Sequence, residues 1–178
     1  ASRAGLPLKQ TASRGVITRD PSTIVKCKDE FWVFYTGRGI PSFHSKDLVR
    51  WEPGPPVFQT APEWIAAAVP ENRNRSYWAP DVIHLGDQYL LYYSVSSFGK
   101  ITSAIGLAST PTLDPNDPAY HWTDHGAVVQ SQEGGGAPGS TPRAALVSVD
   151  LMGGDRRVHV TAENATEFVP SPDERYVA

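Results

Sequence analysis

The chain has 178 residues, a formal net charge of -3, 40% hydrophobic and 20% charged residues, which suits one compact domain or two small ones and excludes a disordered chain. That charge offers no concentrated basic surface for nucleic acid, and no run of 18 apolar residues is present to cross a membrane. Cys27 is the single cysteine, so neither an internal disulfide nor a thiolate metal cluster is expected, and a buried strand thiol is.

Residues 1–15 carry scattered basic residues (Arg3, Lys9, Arg14) and no apolar core of a signal peptide, and are expected to form a loose terminus. From there the 16 Pro and 15 Gly argue for many turns and against long helices. Thr23-Ile24-Val25 and Phe31-Trp32-Val33-Phe34-Tyr35-Thr36 have strand composition on either side of the Lys28-Asp29-Glu30 turn, and read as a β-hairpin. A third strand falls near Ile40 to Ser45 and a fourth follows Trp51-Glu52. Glu63 to Val69 can make one short helical turn between Pro62 and Pro70. Asp81-Val82-Ile83-His84 and Gln88 to Val95 then form a second hairpin round Leu85-Gly86-Asp87. A third strand lies within Thr102 to Ser109, and a fourth follows Trp122-Thr123-Asp124.

The second set repeats the first about sixty residues on, with a leading aspartate, a hairpin and a late tryptophan in the same order. Two consecutive four-stranded units of this kind are the pattern of propeller blades, in which small sheets pack radially round a channel. A sandwich would give short strands at regular spacing without the repeat. The expected fold is therefore all-β, a partial β-propeller of two four-stranded blades plus part of a further blade. The domains follow as 1–15 loose N-terminus, 16–131 blades one and two, 132–140 a Gly-rich linker (Gln132 to Ser140), and 141–178 a partial blade of another type. In that last segment Ala145 to Asp150 and Arg157 to Val160 read as strands round Gly153-Gly154, and Tyr176-Val177-Ala178 reads as a strand cut short.

Asp20 and Asp81 each precede the first strand of a blade, where a carboxylate can meet a substrate in the channel; Asp-Pro at Asp20 and Pro-Asp at Asp81 are equally turn signals. The segments around them resemble glycoside hydrolase family 43, specifically its endo-1,5-α-L-arabinanases. Matching pieces are Asp20-Pro21-Ser22, Phe31 to Gly37, Ser45-Lys46-Asp47-Leu48-Val49-Arg50-Trp51 and Trp78-Ala79-Pro80-Asp81-Val82. Further pieces are Tyr92 to Lys100, Ser103 to Leu107, Thr112-Leu113-Asp114-Pro115 and Trp122-Thr123-Asp124-His125-Gly126. Together they span residues 20–131.

The resemblance implies a five-bladed propeller that hydrolyses arabinan or arabino-oligosaccharides with inversion, in a secreted or periplasmic setting; no cofactor is expected, and the five His residues show no ligand spacing, so no metal site is expected in this chain. It implies that Asp20 is the general base, taking a proton from the water that attacks the anomeric carbon. It implies that Trp78 and Phe98 line arabinose subsites through ring contacts with sugar C–H faces; gap filling between blades is the alternative for both. Asp81 is expected to cap backbone groups near the channel. Three departures qualify the match. Arg19 stands where the family usually has His before the base. The Gly-rich linker stands where the family places its pKa-tuning aspartate. The general-acid glutamate belongs to a later blade, and Glu163, Glu167 and Glu174 lie in non-matching context. The tail (Leu146 to Asp150, Gly153 to Arg157, Pro170 to Ala178) is similar to Tol-type propeller repeats, with Glu174 in place of their turn glycine. A fragment or fusion is the expectation, and a catalytically inactive carbohydrate-binding or structural remnant is the competing one. Open blade edges also predict self-association, since repeats must stack to bury their faces.

Overall fold

A computed structural model describes residues 16–100, 102–132, 143–148 and 157–163. Blade one begins with β1 (Val25–Cys27) and β2 (Glu30–Phe34), antiparallel with Val25 opposite Trp32. The turn between them places Lys28 at φ 52. After β2 the chain leaves the blade for two residues, β3 (Gly37–Arg38), and returns as β4 (Ser42–Ser45) and β5 (Glu52–Gly54). The first sheet runs β1-β2-β4-β5. Between β4 and β5, the Ser45 to Trp51 segment is a self-capped turn. Asp47 Oδ1 accepts the Val49 and Arg50 N–H groups at 2.9 and 2.8 Å, and Ser45 Oγ accepts the Leu48 N–H at 2.9 Å.

A one-turn helix, α1 (Trp64–Ala68), bridges to blade two and buries Ile65. Blade two is β6 (Ser76–Leu85), β7 (Gln88–Ser96), β8 (Ser103–Thr110) and β9 (Thr123–Gln132). Two more strands, β10 (Arg143–Ser148) and β11 (Arg157–Glu163), continue the same sheet outward, with Ala145 opposite Gln130. The full order is β11-β10-β9-β8-β7-β6-β3. The tail hairpin expected round Gly153-Gly154 thus joins blade two's sheet through β9; its turn and residues 164–178 lie outside the described residues, as do residues 133–142, which include all of the expected 132–140 linker but Gln132.

The alternation on β7 explains how the blades pack. Tyr89, Leu91, Tyr93 and Val95 are buried towards blade one, while Leu90 joins Leu107 and Val128 in a separate cluster on the opposite face. The main core is shared by both blades and includes Cys27, Trp32, Phe34, Ile40, Val57, Tyr77 and Val82. Phe34 meets Trp122 edge-on at 5.7 Å, and Phe58 meets Tyr93 at 5.1 Å. Cys27, buried and free, accepts the Leu113 N–H at 3.3 Å, and the Tyr89 hydroxyl donates to the Lys26 carbonyl at 2.8 Å. Lys28 Nζ is 2.8 Å from both Asp114 Oδ2 and Asp117 Oδ2, tying the blade-one hairpin turn to the β8–β9 loop. Among the described residues no helix is long and apolar enough to cross a membrane.

Candidate active site

The lead-in to blade one, residues 19–23, lies along the end of β2 and against the start of β6. Ser22 exchanges two bonds with Phe34: its N–H donates to the Phe34 carbonyl at 2.8 Å, and its Oγ accepts the Phe34 N–H at 3.0 Å. The Thr36 N–H donates to the Arg19 carbonyl at 2.9 Å. These bonds hold Asp20 at the end of the blade, exposed to solvent and at φ 46, the left-handed region that non-glycine residues seldom occupy. Its Oδ2 accepts the Thr36 hydroxyl at 2.8 Å.

Blade two presents the matching end of β6. A register shift between Trp78 and Asp81 opens a bulge at Ala79-Pro80, where proline could not have donated to the ladder in any case. Bulges of this kind re-aim the groups beside them. Here Ala79 takes φ 42, and its N–H donates to Thr36 Oγ1 at 2.8 Å. Asp81 Oδ1 accepts the Thr23 N–H at 2.9 Å, a second bond from blade two to the lead-in of blade one. Burial pushes the Asp81 carboxyl up, but the Thr23 and Val82 donors more than offset it, so it sits below its ordinary value.

Trp78 is half-buried on β6 opposite Ser94, and Tyr77 beside it is fully buried in the shared core, so alternation turns Trp78 to the other face. Phe98 is 97% exposed in the β7–β8 turn and packs on no described residue. Asp20, Trp78, Asp81 and Phe98 therefore share the same end of the blades, at the starts of the first strands and the end of β7. Asp20 is bound through Thr36 to Ala79, and Asp81 separately to the Thr23 amide, so each carboxylate takes part in a contact between the blades. The pairing of Gly37 with Tyr77 and Arg38 with Ser76 closes the blade junction at this end. Next to it is a cleft of about 310 Å³ lined by Arg38, Phe58, Gln59, Thr60, Arg75 and Tyr77. No group of three His, Cys, Asp or Glu residues among those described is placed to hold a metal ion. Thr36, Thr23 and Ala79 did not stand out in the sequence. A threonine ending a strand and an alanine before proline have no distinguishing context.

A half-buried carboxyl lies away from this end. Asp124, on β9, accepts the Tyr93 hydroxyl at 2.8 Å; burial pushes it up and that bond works against the rise.

The family model for glycosyl hydrolases family 43 matches residues 15–138. The chain belongs to glycosyl hydrolases family 43. Within that family it is 44% identical over 103 residues to an extracellular exo-α-(1→5)-L-arabinofuranosidase of Cellvibrio japonicus, covering 58% of this chain and 29% of that protein. It is 37% identical over 119 residues to an extracellular endo-α-(1→5)-L-arabinanase of Bacillus subtilis, covering 65% of this chain and 35% of that protein. Among solved structures, an exo-1,5-α-L-arabinanase from a bovine ruminal metagenomic library superposes with a TM-score of 0.65 at 30% identity, over 83% of this chain and 54% of that one. The Cellvibrio cellulosa α-L-arabinanase in complex with arabinohexaose gives 0.61 at 28% identity, over 83% and 54%. The family 43 chain thus spans about a third of the length of these curated relatives and about half that of these solved structures. The strands within residues 15–138 have the fold of blades of the family 43 propeller.

Proposed function

We propose that these blades supply the base-bearing part of an inverting arabinan hydrolase, with Asp20 as general base and Trp78 and Phe98 as sugar-contacting rings. The observation that carries this reading is the construction around Asp20: an exposed carboxylate in a left-handed conformation, held by one oxygen on a hydroxyl that is itself bonded to the next blade. Strained residues that the surroundings over-determine cluster at functional sites. In the reaction, Asp20 takes a proton from water as the water oxygen bonds the anomeric carbon and the glycosidic bond breaks. The relatives' names support arabinan, or an arabino-oligosaccharide, as the substrate, and their description as extracellular supports secretion.

An inverting site also needs a protonated carboxyl to release the leaving group. Asp81 is unsuited to that part. It is committed to the Thr23 amide and held below its ordinary pKa, hence ionised when an acid must be protonated. This favours a second reading for the described blades by themselves, in which they bind arabino-oligosaccharides without cleaving them until another carboxyl is supplied. The face of blade two turned away from blade one exposes Ile83, Leu85, Tyr92 and Ile105, which supports association with further blades or with a second copy. Sedimentation across a concentration series tests that point, and one mass throughout would remove the second copy.

Titrating the isotopically labelled chain with linear α-1,5-arabinohexaose tests the site. Saturable amide shifts are expected at Asp20, Thr36, Trp78, Ala79 and Ser97 to Gly99. Shifts confined to other residues, or none, would sink the assignment.

A further inference from the structure

Thr36 is half-buried just beyond β2, and its hydroxyl has partners in both blades. It donates to Asp20 Oδ2 at 2.8 Å and accepts the Ala79 N–H at 2.8 Å. A hydroxyl can do both at once, and bonds in such a chain polarise one another. The backbone on either side is pinned as well, by Thr36 N–H to the Arg19 carbonyl and by β3 pairing with β6 one residue later. Both residues that the hydroxyl joins, Asp20 and Ala79, have left-handed φ values of 46 and 42. Two unusual conformations in different blades therefore meet at one side-chain oxygen.

We propose that Thr36 is the positioning residue for the Asp20 carboxylate and that it links that carboxylate to the bulge of blade two. With Oδ2 occupied by the hydroxyl, Oδ1 is the oxygen turned to water, and no described residue bonds it. Rotation of the carboxylate is restricted by the relay, and a change in the blade-one to blade-two junction at Ala79 is passed to the base through one atom. The inference rests on Asp20 being the base for its catalytic meaning. The geometry itself does not.

The test reads the relay directly. In the labelled full chain, acidification that protonates Asp20 removes the charge that Thr36 donates to and so alters the Ala79 N–H bond behind it. The Ala79 amide shift should follow that titration in the native chain and in Thr36→Ser, which keeps the hydroxyl. It should be lost in Thr36→Val, in Thr36→Ala as a smaller second variant, and in Asp20→Asn. Asp20→Asn also separates the response from the other ionisable groups nearby, Arg19 and Asp81, because Asp81 remains titratable there. An unchanged response in Thr36→Val or Thr36→Ala would overturn the proposal, as would its loss in Thr36→Ser. Arabinan hydrolysis that survives Asp20→Asn when these blades are completed by those of the Bacillus subtilis endo-arabinanase would remove the base reading and leave this amide response intact, so the two failures are told apart.

Discussion

Replacing Phe34 with alanine perturbs the contact that joins the blades most directly. Phe34 is 2% exposed and meets Trp122 edge-on at 5.7 Å with the rings at 87°. Truncating a buried phenylalanine costs about 3–5 kcal/mol. Trp122 is only partly buried and can move into the gap, so the lower end, about 3 kcal/mol, is expected. With an m-value of about 2 kcal/mol/M, the urea midpoint should fall by about 1.5 M. Phe98→Ala is the control. A residue 97% exposed should move stability by less than about 0.5 kcal/mol, or about 0.25 M. Pairing Phe34→Ala with Trp122→Ala in a double-mutant cycle should return a coupling of about 0.5–1.5 kcal/mol for the edge-on pair. Far-UV circular dichroism through a urea series measures the native chain and all four variants. A Phe34→Ala midpoint no lower than that of Phe98→Ala would refute the shared core.

Three further outcomes follow from the same packing. Lys28, hydrogen-bonded to both, holds Asp114 and Asp117 below the ordinary carboxylate range. Their contribution is present above the unfolded value near about pH 4 and is lost as pH falls through the lower folded values. Lys28→Met should accordingly flatten the loss of urea stability between pH 6 and pH 3; an unchanged acid slope would contradict it. Tyr93→Phe strips the half-buried Asp124 of its hydroxyl donor and should cost about 1–3 kcal/mol. Because burial already raises Asp124, its contribution falls as pH rises through the folded value, so the deficit of Tyr93→Phe should widen from pH 4 to pH 7 in thermal melts. Gly106→Ala would push a methyl group into the Tyr93 ring, which is itself packed near Phe58, Trp64 and Tyr77, and should cost about 1–3 kcal/mol by chemical denaturation; a neutral substitution would show that the ring can yield.

The blades were legible because each strand reports its own face. Tyr89, Leu91, Tyr93 and Val95 alternate with Leu90 and Tyr92, and the hairpin turns, the late tryptophans and the short helix at Trp64–Ala68 all carry local signals. The excursion of β3 to pair with β6 carried none, since Gly37-Arg38 is two residues long and its partner is set by how the blades meet. For the same reason the pairing of β10 with β9 carried no local signal: nothing in Arg143–Ser148 states which edge it will extend. Asp20 and Asp81 were visible as leading aspartates. Their division, Asp20 as base and Asp81 as a cap on backbone groups, was expected from the resemblance; their partners, the Thr36 hydroxyl for one and the Thr23 amide for the other, were not legible, because they depend on how the lead-in packs on β2 and β6.

Whether these blades perform the base's part in a complete propeller is the most direct question. Residues 16–131 would replace the corresponding blades of the Bacillus subtilis endo-arabinanase, and reducing-end release from linear 1,5-α-L-arabinan would be measured with and without Asp20→Asn. The chimera should release reducing ends, and the substitution should lower its rate by about 10²- to 10⁴-fold. An Asp20→Asn chimera as fast as its parent would contradict the assignment of Asp20 as the general base.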